Sequence, residues 1–255
     1  MYEYKTFEKW CENNGQKIYG IAYVPEITEK VPLVIFAHEL CNTHAAGTEY
    51  AKRLASNGIA VYTFDFRGGS YDSRSDGETT SMSVMSEASD LEAVIAEAKT
   101  WDFVDAGKVA LLGGSQGGMA AAVAAERNLE DVKGLMLLYP AFVIQDNLYR
   151  QFSSLDSVPE QFKLLDRIMV GKNFASDVWD YDLFGRMKSY TRPVLLMHGD
   201  EDSVVDVSYA KKAAECYPDV RLHIIKGADH SFVGSDFDLV MDYILDYLKE
   251  CGILK

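Results

Sequence analysis

The residues Gly113-Gly114-Ser115-Gln116-Gly117-Gly118 set a serine among glycines, directly after the apolar run 109–112 and ahead of an alanine-rich helix expected over 116–127. This is G-x-S-x-G in the strand, turn, helix setting that gives the pattern its meaning. A serine on so sharp a turn sits in strained backbone, and side chains at 113 and 117 would collide with the chain around them. The hydroxyl then stands clear of the sheet, and the helix that starts behind it favours negative charge developing nearby. The chemistry on offer is nucleophilic attack by a serine oxygen.

A serine hydroxyl is a weak nucleophile and needs a base, itself oriented by a third group. There are five histidines: His38, His44, His198, His223 and His230. His38 and His198 end apolar runs and are expected to brace loops. His223 falls within an expected strand. His44 follows the first buried strand, and no role is assigned to it. His230 lies in Lys226-Gly227-Ala228-Asp229-His230, a turn-bearing loop after the last strand, at the same sheet edge as Ser115, and is the best base. An acid lying between serine and base in chain order has three candidates, Asp200, Asp202 and Asp206, and spacing does not choose among them. The acidic run lacks the glycine and distal glutamate of a calcium loop. No metal ligand set and no organic cofactor is expected.

These groups need a scaffold. Residues 4–10 and 17–24 read as a hairpin around Asn13-Asn14-Gly15, which tolerates positive φ. From 31 onward, short unalternating apolar runs (31–37, 59–64, 109–112, 132–138, 194–197, 222–225) alternate with helical patterns (47–56, 82–99, 116–127, 208–216, 237–249). That alternation implies a parallel sheet covered on both faces, with ligands at the carboxyl ends of its strands. Between Pro140 and Pro193 the rhythm stops, and aromatics and methionines are scattered among polar residues. An insertion of this size borders the site, and 141–192 is expected to be a cap on a single domain spanning 1–255.

With 39 Asp and Glu against 25 Lys and Arg, the net charge is −14, which opposes nucleic acid or anionic lipid as a partner. The start of the chain lacks the basic and apolar regions of a secretory leader, and no apolar run is long enough to span a bilayer. The four scattered cysteines show no metal or redox spacing. A reduced, cytoplasmic protein acting on a small molecule is expected.

In these motifs the chain resembles the α/β-hydrolase superfamily, and within it the lid-bearing carboxylesterases that include cinnamoyl (feruloyl) esterases. The resemblance runs from about residue 17 to the end. It rests on Gly113–Gly118, on His198-Gly199-Asp200-Glu201-Asp202-Ser203-Val204-Val205 and on Gly227-Ala228-Asp229-His230, with Phe64–Ser70 similar to the family's loop after its next core strand. It implies an eight-stranded, mostly parallel sheet with helices on both faces and a helical cap insertion. It also implies Asp202 as the acid, and the backbone N–H groups of Leu40 and Gln116 as oxyanion donors. The activity implied is cleavage of small acyl or cinnamoyl esters through an acyl-enzyme. Gln145, Asp146, Phe142 and Trp179 in the cap are the candidate substrate contacts. Alternatives are a lipid esterase or acyl thioesterase of the same fold, or a non-catalytic binding protein. The last arises from one departure: where the family has His-Gly followed by an apolar residue, this chain has His38-Glu39-Leu40. A non-glycine residue is strained there if the backbone is left-handed. A carboxylate aimed at the oxyanion opposes it, whereas one turned to solvent, the arrangement expected here, leaves it unhindered.

Overall fold

The computed structural model describes residues 1–254. β1 (Tyr4–Asn13) and β2 (Gln16–Pro25) pair antiparallel, with Asn13 opposite Gln16, so that Asn14 and Gly15 alone make the turn. Their φ values of 52° and 77° are those of a turn whose twist matches the flanking strands. The chain continues through β3 (Val31–Ala37), α1 (Thr48–Ser56), β4 (Ala60–Phe64), α2 (Val84–Ala98), β5 (Val104–Gly114), α3 (Ser115–Arg127) and β6 (Val132–Leu138). Next come α4 (Ile144–Gln151), β7 (Gln161–Leu164), β8 (Ile168–Gly171), α5 (Asn173–Ser176) and α6 (Leu183–Met187). The chain closes with β9 (Val194–Gly199), α7 (Ser208–Cys216), β10 (Val220–Ile225) and α8 (Ser235–Glu250).

Eight strands form one sheet in the order β1-β2-β4-β3-β5-β6-β9-β10. β1 and β2 are antiparallel at one edge, and the six strands from β4 to β10 run parallel. The unalternating runs are explained by helices on both sides. In β3, Leu33, Ile35 and Ala37 join the core under α2, α3 and α7, while Val34 and Phe36 join the core under α1 and α8. Side chains that alternate between two dry faces must all be apolar, and burying each contributes roughly 1.5–3 kcal/mol. All six parallel strands therefore end at one edge, where the loops carrying chemistry collect.

The insertion between β6 and β9 departs from the helical cap expected. It is mixed, with three short helices and a separate two-stranded antiparallel sheet of β7 and β8. Strands of four residues are too short for alternation to register in sequence. Its aromatics pack on one another, Phe152 and Phe174 against Phe162 and Phe142 against Phe184, and extend the core on the α2, α3 and α7 side of the sheet. Among the described residues no helix is long and apolar enough to cross a membrane.

Candidate active site

Ser115 opens α3 directly after β5 with φ of 48°, in the left-handed region that an L-residue occupies only under strain. Its flanking glycines are steric necessities. A Cβ on Gly113 would lie 2.6 Å from the Gly117 carbonyl oxygen, and one on Gly117 would run into the carbonyls of Ala37 and His38. The turn can close against β3 only because both side chains are missing.

The base and acid arrive on two loops laced together. Asp200 accepts from the Gly227 N–H at 2.5 Å. Asp229 accepts from the N–H and hydroxyl of Ser203 and from the N–H of His230, each at 2.8 Å. His230 Nε2 lies 2.9 Å from Ser115 Oγ, and its Nδ1 lies 2.8 and 3.0 Å from the two oxygens of Asp202. A carboxylate at Nδ1 fixes the proton there and turns the Nε2 lone pair toward the serine.

Asp202 also accepts from the N–H groups of Val204 and Val205 at 2.9 and 2.8 Å, and lies 3.1 Å from His198 Nε2. Its side chain is fully enclosed, and burial by itself pushes its pKa up. Hydrogen bonds from His198, His230, Val205 and Val204 outweigh that and hold the group ionised, well below the usual carboxylate range. Of the three acid candidates, only Asp202 reaches His230; Asp206 instead accepts from the Ser208 N–H. The remaining histidines are engaged elsewhere. His38 accepts from the Phe66 N–H and bonds the Glu39 carbonyl, His198 bonds the Val205 carbonyl, His44 pairs with Asp65, and His223 stacks on Tyr243.

Leu40 follows β3, Gln116 is the second residue of α3, and both line a cavity of about 410 Å³ together with Ser115. A helix leaves the N–H groups of its first turn without intrahelical partners. Glu39 is not in the left-handed region; Cys41 is, with φ of 63°. The strain that a left-handed backbone would impose at Glu39 is therefore absent. Its carboxylate is not turned to solvent either. Oε1 accepts from the Tyr139 hydroxyl at 3.0 Å and Oε2 from the Asn42 amide at 3.1 Å. The Tyr139 ring in turn packs 4.9 Å from the His230 ring. Neither link was legible beforehand, since Tyr139 reads in sequence only as the end of a strand.

Two cavities meet at Ser115. The first has an aliphatic wall, with Leu40, Val143, Ile144, Leu148, Leu164 and Val205 among its residues, and Asn147, Arg150 and Gln151 at one side. The second, of about 620 Å³, is polar and takes in Glu39, Asn42, Arg167, Ser203, Asp229 and His230. The four cap residues singled out from sequence line neither. Gln145 donates to the carbonyls of Val178 and Trp179 at 2.8 Å, and Asp146 accepts from the Tyr209 hydroxyl. Phe142 is buried against Phe184, and the Trp179 ring packs on Tyr149. The neighbouring face of α4 (Ile144, Asn147, Leu148, Gln151) meets the cavity instead.

Residues 28–176, more than half of the chain, match the family described as serine aminopeptidase, S33. The chain belongs to that family. Over 109 residues this S33 member is 31% identical to the quorum-quenching protein AidA of Acinetobacter baumannii (strain MDR-ZJ06), an alignment covering 42% of this chain and 35% of AidA. The chain thus spans about a third of that relative's length. Among solved structures it is similar to Est1E of Butyrivibrio proteoclasticus with ferulic acid bound (TM-score 0.84, 24% identity, 95% of this chain and 98% of that one). It is also similar to the α/β-hydrolase GrgF of Penicillium sp. sh18 (TM-score 0.78, 17% identity, 97% and 98%). At these identities the likeness establishes the fold, that of an α/β-hydrolase.

Proposed function

We propose that this S33 member is a carboxylesterase that works through an acyl-enzyme. The reading is carried by one observation: a single imidazole lies 2.9 Å from the strained Ser115 hydroxyl and 2.8 Å from an enclosed, ionised carboxylate. Ser115 Oγ attacks the ester carbonyl while His230 Nε2 takes its proton, and Asp202 holds the tautomer and steadies the imidazolium. The N–H groups of Leu40 and Gln116 receive the oxyanion. His230 then protonates the departing alcohol, and water, activated by the same nitrogen, releases the acid and restores the serine. The absence of backbone strain at Glu39 supports this reading over a non-catalytic binding role.

The two cavities divide the substrate. The aliphatic one takes the acyl group, and its volume suits a short acyl or arylpropenoyl group. The ferulic acid carried by Est1E fits the second of these. The polar one takes the alcohol. Residues 141–192 act as the cap of a single domain, and the four free thiols agree with a reducing, cytoplasmic setting. Ser115→Ala is expected to lower kcat on a p-nitrophenyl ester by about 10⁴-fold or more without unfolding the protein. Retention of turnover overturns the assignment. A panel of methyl ferulate and p-nitrophenyl esters of rising chain length tests the acyl group. A marked preference for long chains argues instead for a lipid esterase or thioesterase.

A further inference from the structure

Glu87 lies on α2 within the apolar stripe of Val84, Ala88 and Leu91, and is 1% exposed. Its Oε1 accepts from Nε2 of Gln116 at 2.9 Å, and the same amide nitrogen lies 3.4 Å from Sδ of Met82. Oε2 is buried with no hydrogen-bond partner among the described residues. A carboxylate has lone pairs for about four hydrogen bonds; this one receives a single bond. A charge so poorly solvated binds a proton instead.

The groups that face Glu87 do not offset this. Asp90, one turn further along α2, adds like charge and is itself held by Arg67 and Asn13. Cys41, on the loop that carries Leu40, is a thiol that burial pushes up, with Arg167 acting against that shift and Glu87 adding to it. From α3 comes only the Gln116 amide. Burial pushes the Glu87 carboxyl up to about 8, against the opposing pull of Gln116 and with the help of Asp90.

We propose that Glu87 is a positioning residue for the oxyanion pocket: as the uncharged acid it pins the Gln116 side chain, and with it the backbone N–H of that residue. Losing its proton to water puts a negative charge behind the group that must receive one, so turnover falls in alkali. The inference rests on the reading of Gln116 as an oxyanion donor. Its signature is a pH profile, which a merely structural contact would not shape.

The test is kcat/KM for an activated ester against pH in the wild type, Glu87→Gln and Glu87→Leu, with Ser115→Ala as the blank. In the wild type kcat/KM is expected to fall about tenfold between about pH 7 and pH 9, with a midpoint near 8. Glu87→Gln, with no proton to lose, is expected to stay level over that range. Glu87→Leu, which also loses the clamp, should show a lower kcat at every pH, little change in KM and no alkaline fall. An alkaline fall that persists in Glu87→Gln, where Ser115→Ala on its own abolishes turnover, overturns this inference alone. Turnover that survives Ser115→Ala overturns the reading of the site and this inference with it. An infrared titration of the wild-type carboxyl gives a readout independent of activity: a midpoint near 8 supports the proposal, and one in the ordinary carboxylate range ends it.

Discussion

Two enclosed carboxyl groups lie either side of the nucleophile turn, and their surroundings drive them apart. Both side chains are closed to solvent, Glu87 the more deeply. Asp202 is met by two imidazoles and two backbone N–H groups, whereas Glu87 is met by one amide. The first is held ionised below its ordinary range and the second is held protonated into the alkaline range. Burial pushes both up, and only at Asp202 do the number and charge of the donors outweigh it. On the proposed mechanism the anion orients a base, while the neutral acid stands behind a developing anion without opposing it.

The largest effect should come from cancelling the charge on the first group. Asp202→Asn keeps the shape but no longer fixes the imidazole tautomer, and kcat is expected to fall by about 10⁴-fold. Steady-state rates on an activated ester measure this, and a loss of less than tenfold breaks the contrast.

Stability should move with pH in opposite senses for the two groups. Asp202 is depressed in the folded state, so its contribution is present above its unfolded value near 3.8 and is lost as pH falls through the lower folded value. Glu87 is raised, so its contribution is present below its unfolded value near 4.5 and is lost as pH rises toward about 8. The slope in that window approaches about 1.4 kcal/mol per pH unit for one fully displaced group. Urea unfolding of wild type and Glu87→Gln across the window should show the variant gaining on the wild type as pH rises. Parallel curves would refute the assignment.

The smallest effect sharpens the comparison from the donor side. Gln116→Leu keeps the backbone N–H but removes the only donor to Glu87 among the described residues. The carboxyl should then titrate higher still, by about one pH unit or less, read from its infrared band. No movement would mean that the amide does not influence the acid.

What the chain discloses in advance follows the same physics. The run Val132–Leu138 reads as a strand covered on both faces because it is short and almost wholly apolar, and the structure has that strand with those ends. The serine turn is legible because only glycine fits where Gly113 and Gly117 approach the backbone. Asp202 was not separable from Asp200 and Asp206 by spacing, since a loop's fold, not its length, aims each carboxyl. The cap contacts were misplaced for a related reason. α4 is two turns long, and its sequence does not tell which face meets a cavity built by other segments. Glu87 had a signal that passed unread: it interrupts the apolar stripe of α2 at the spacing of Val84, Ala88 and Leu91, where a polar residue must have a buried partner or a buried proton.

Leu165 sits at the tip of the β7–β8 hairpin with φ of 52° and borders both chambers beside the serine. With Leu40 and Val204 it forms the wall common to the two, so on the proposed division of the substrate one short stretch of hairpin faces both the acid half and the alcohol half. A change at that position would reset both together, and selection on one would carry the other along. Lineages that exchange this tip should switch substrates in paired steps, with intermediate specificities scarce.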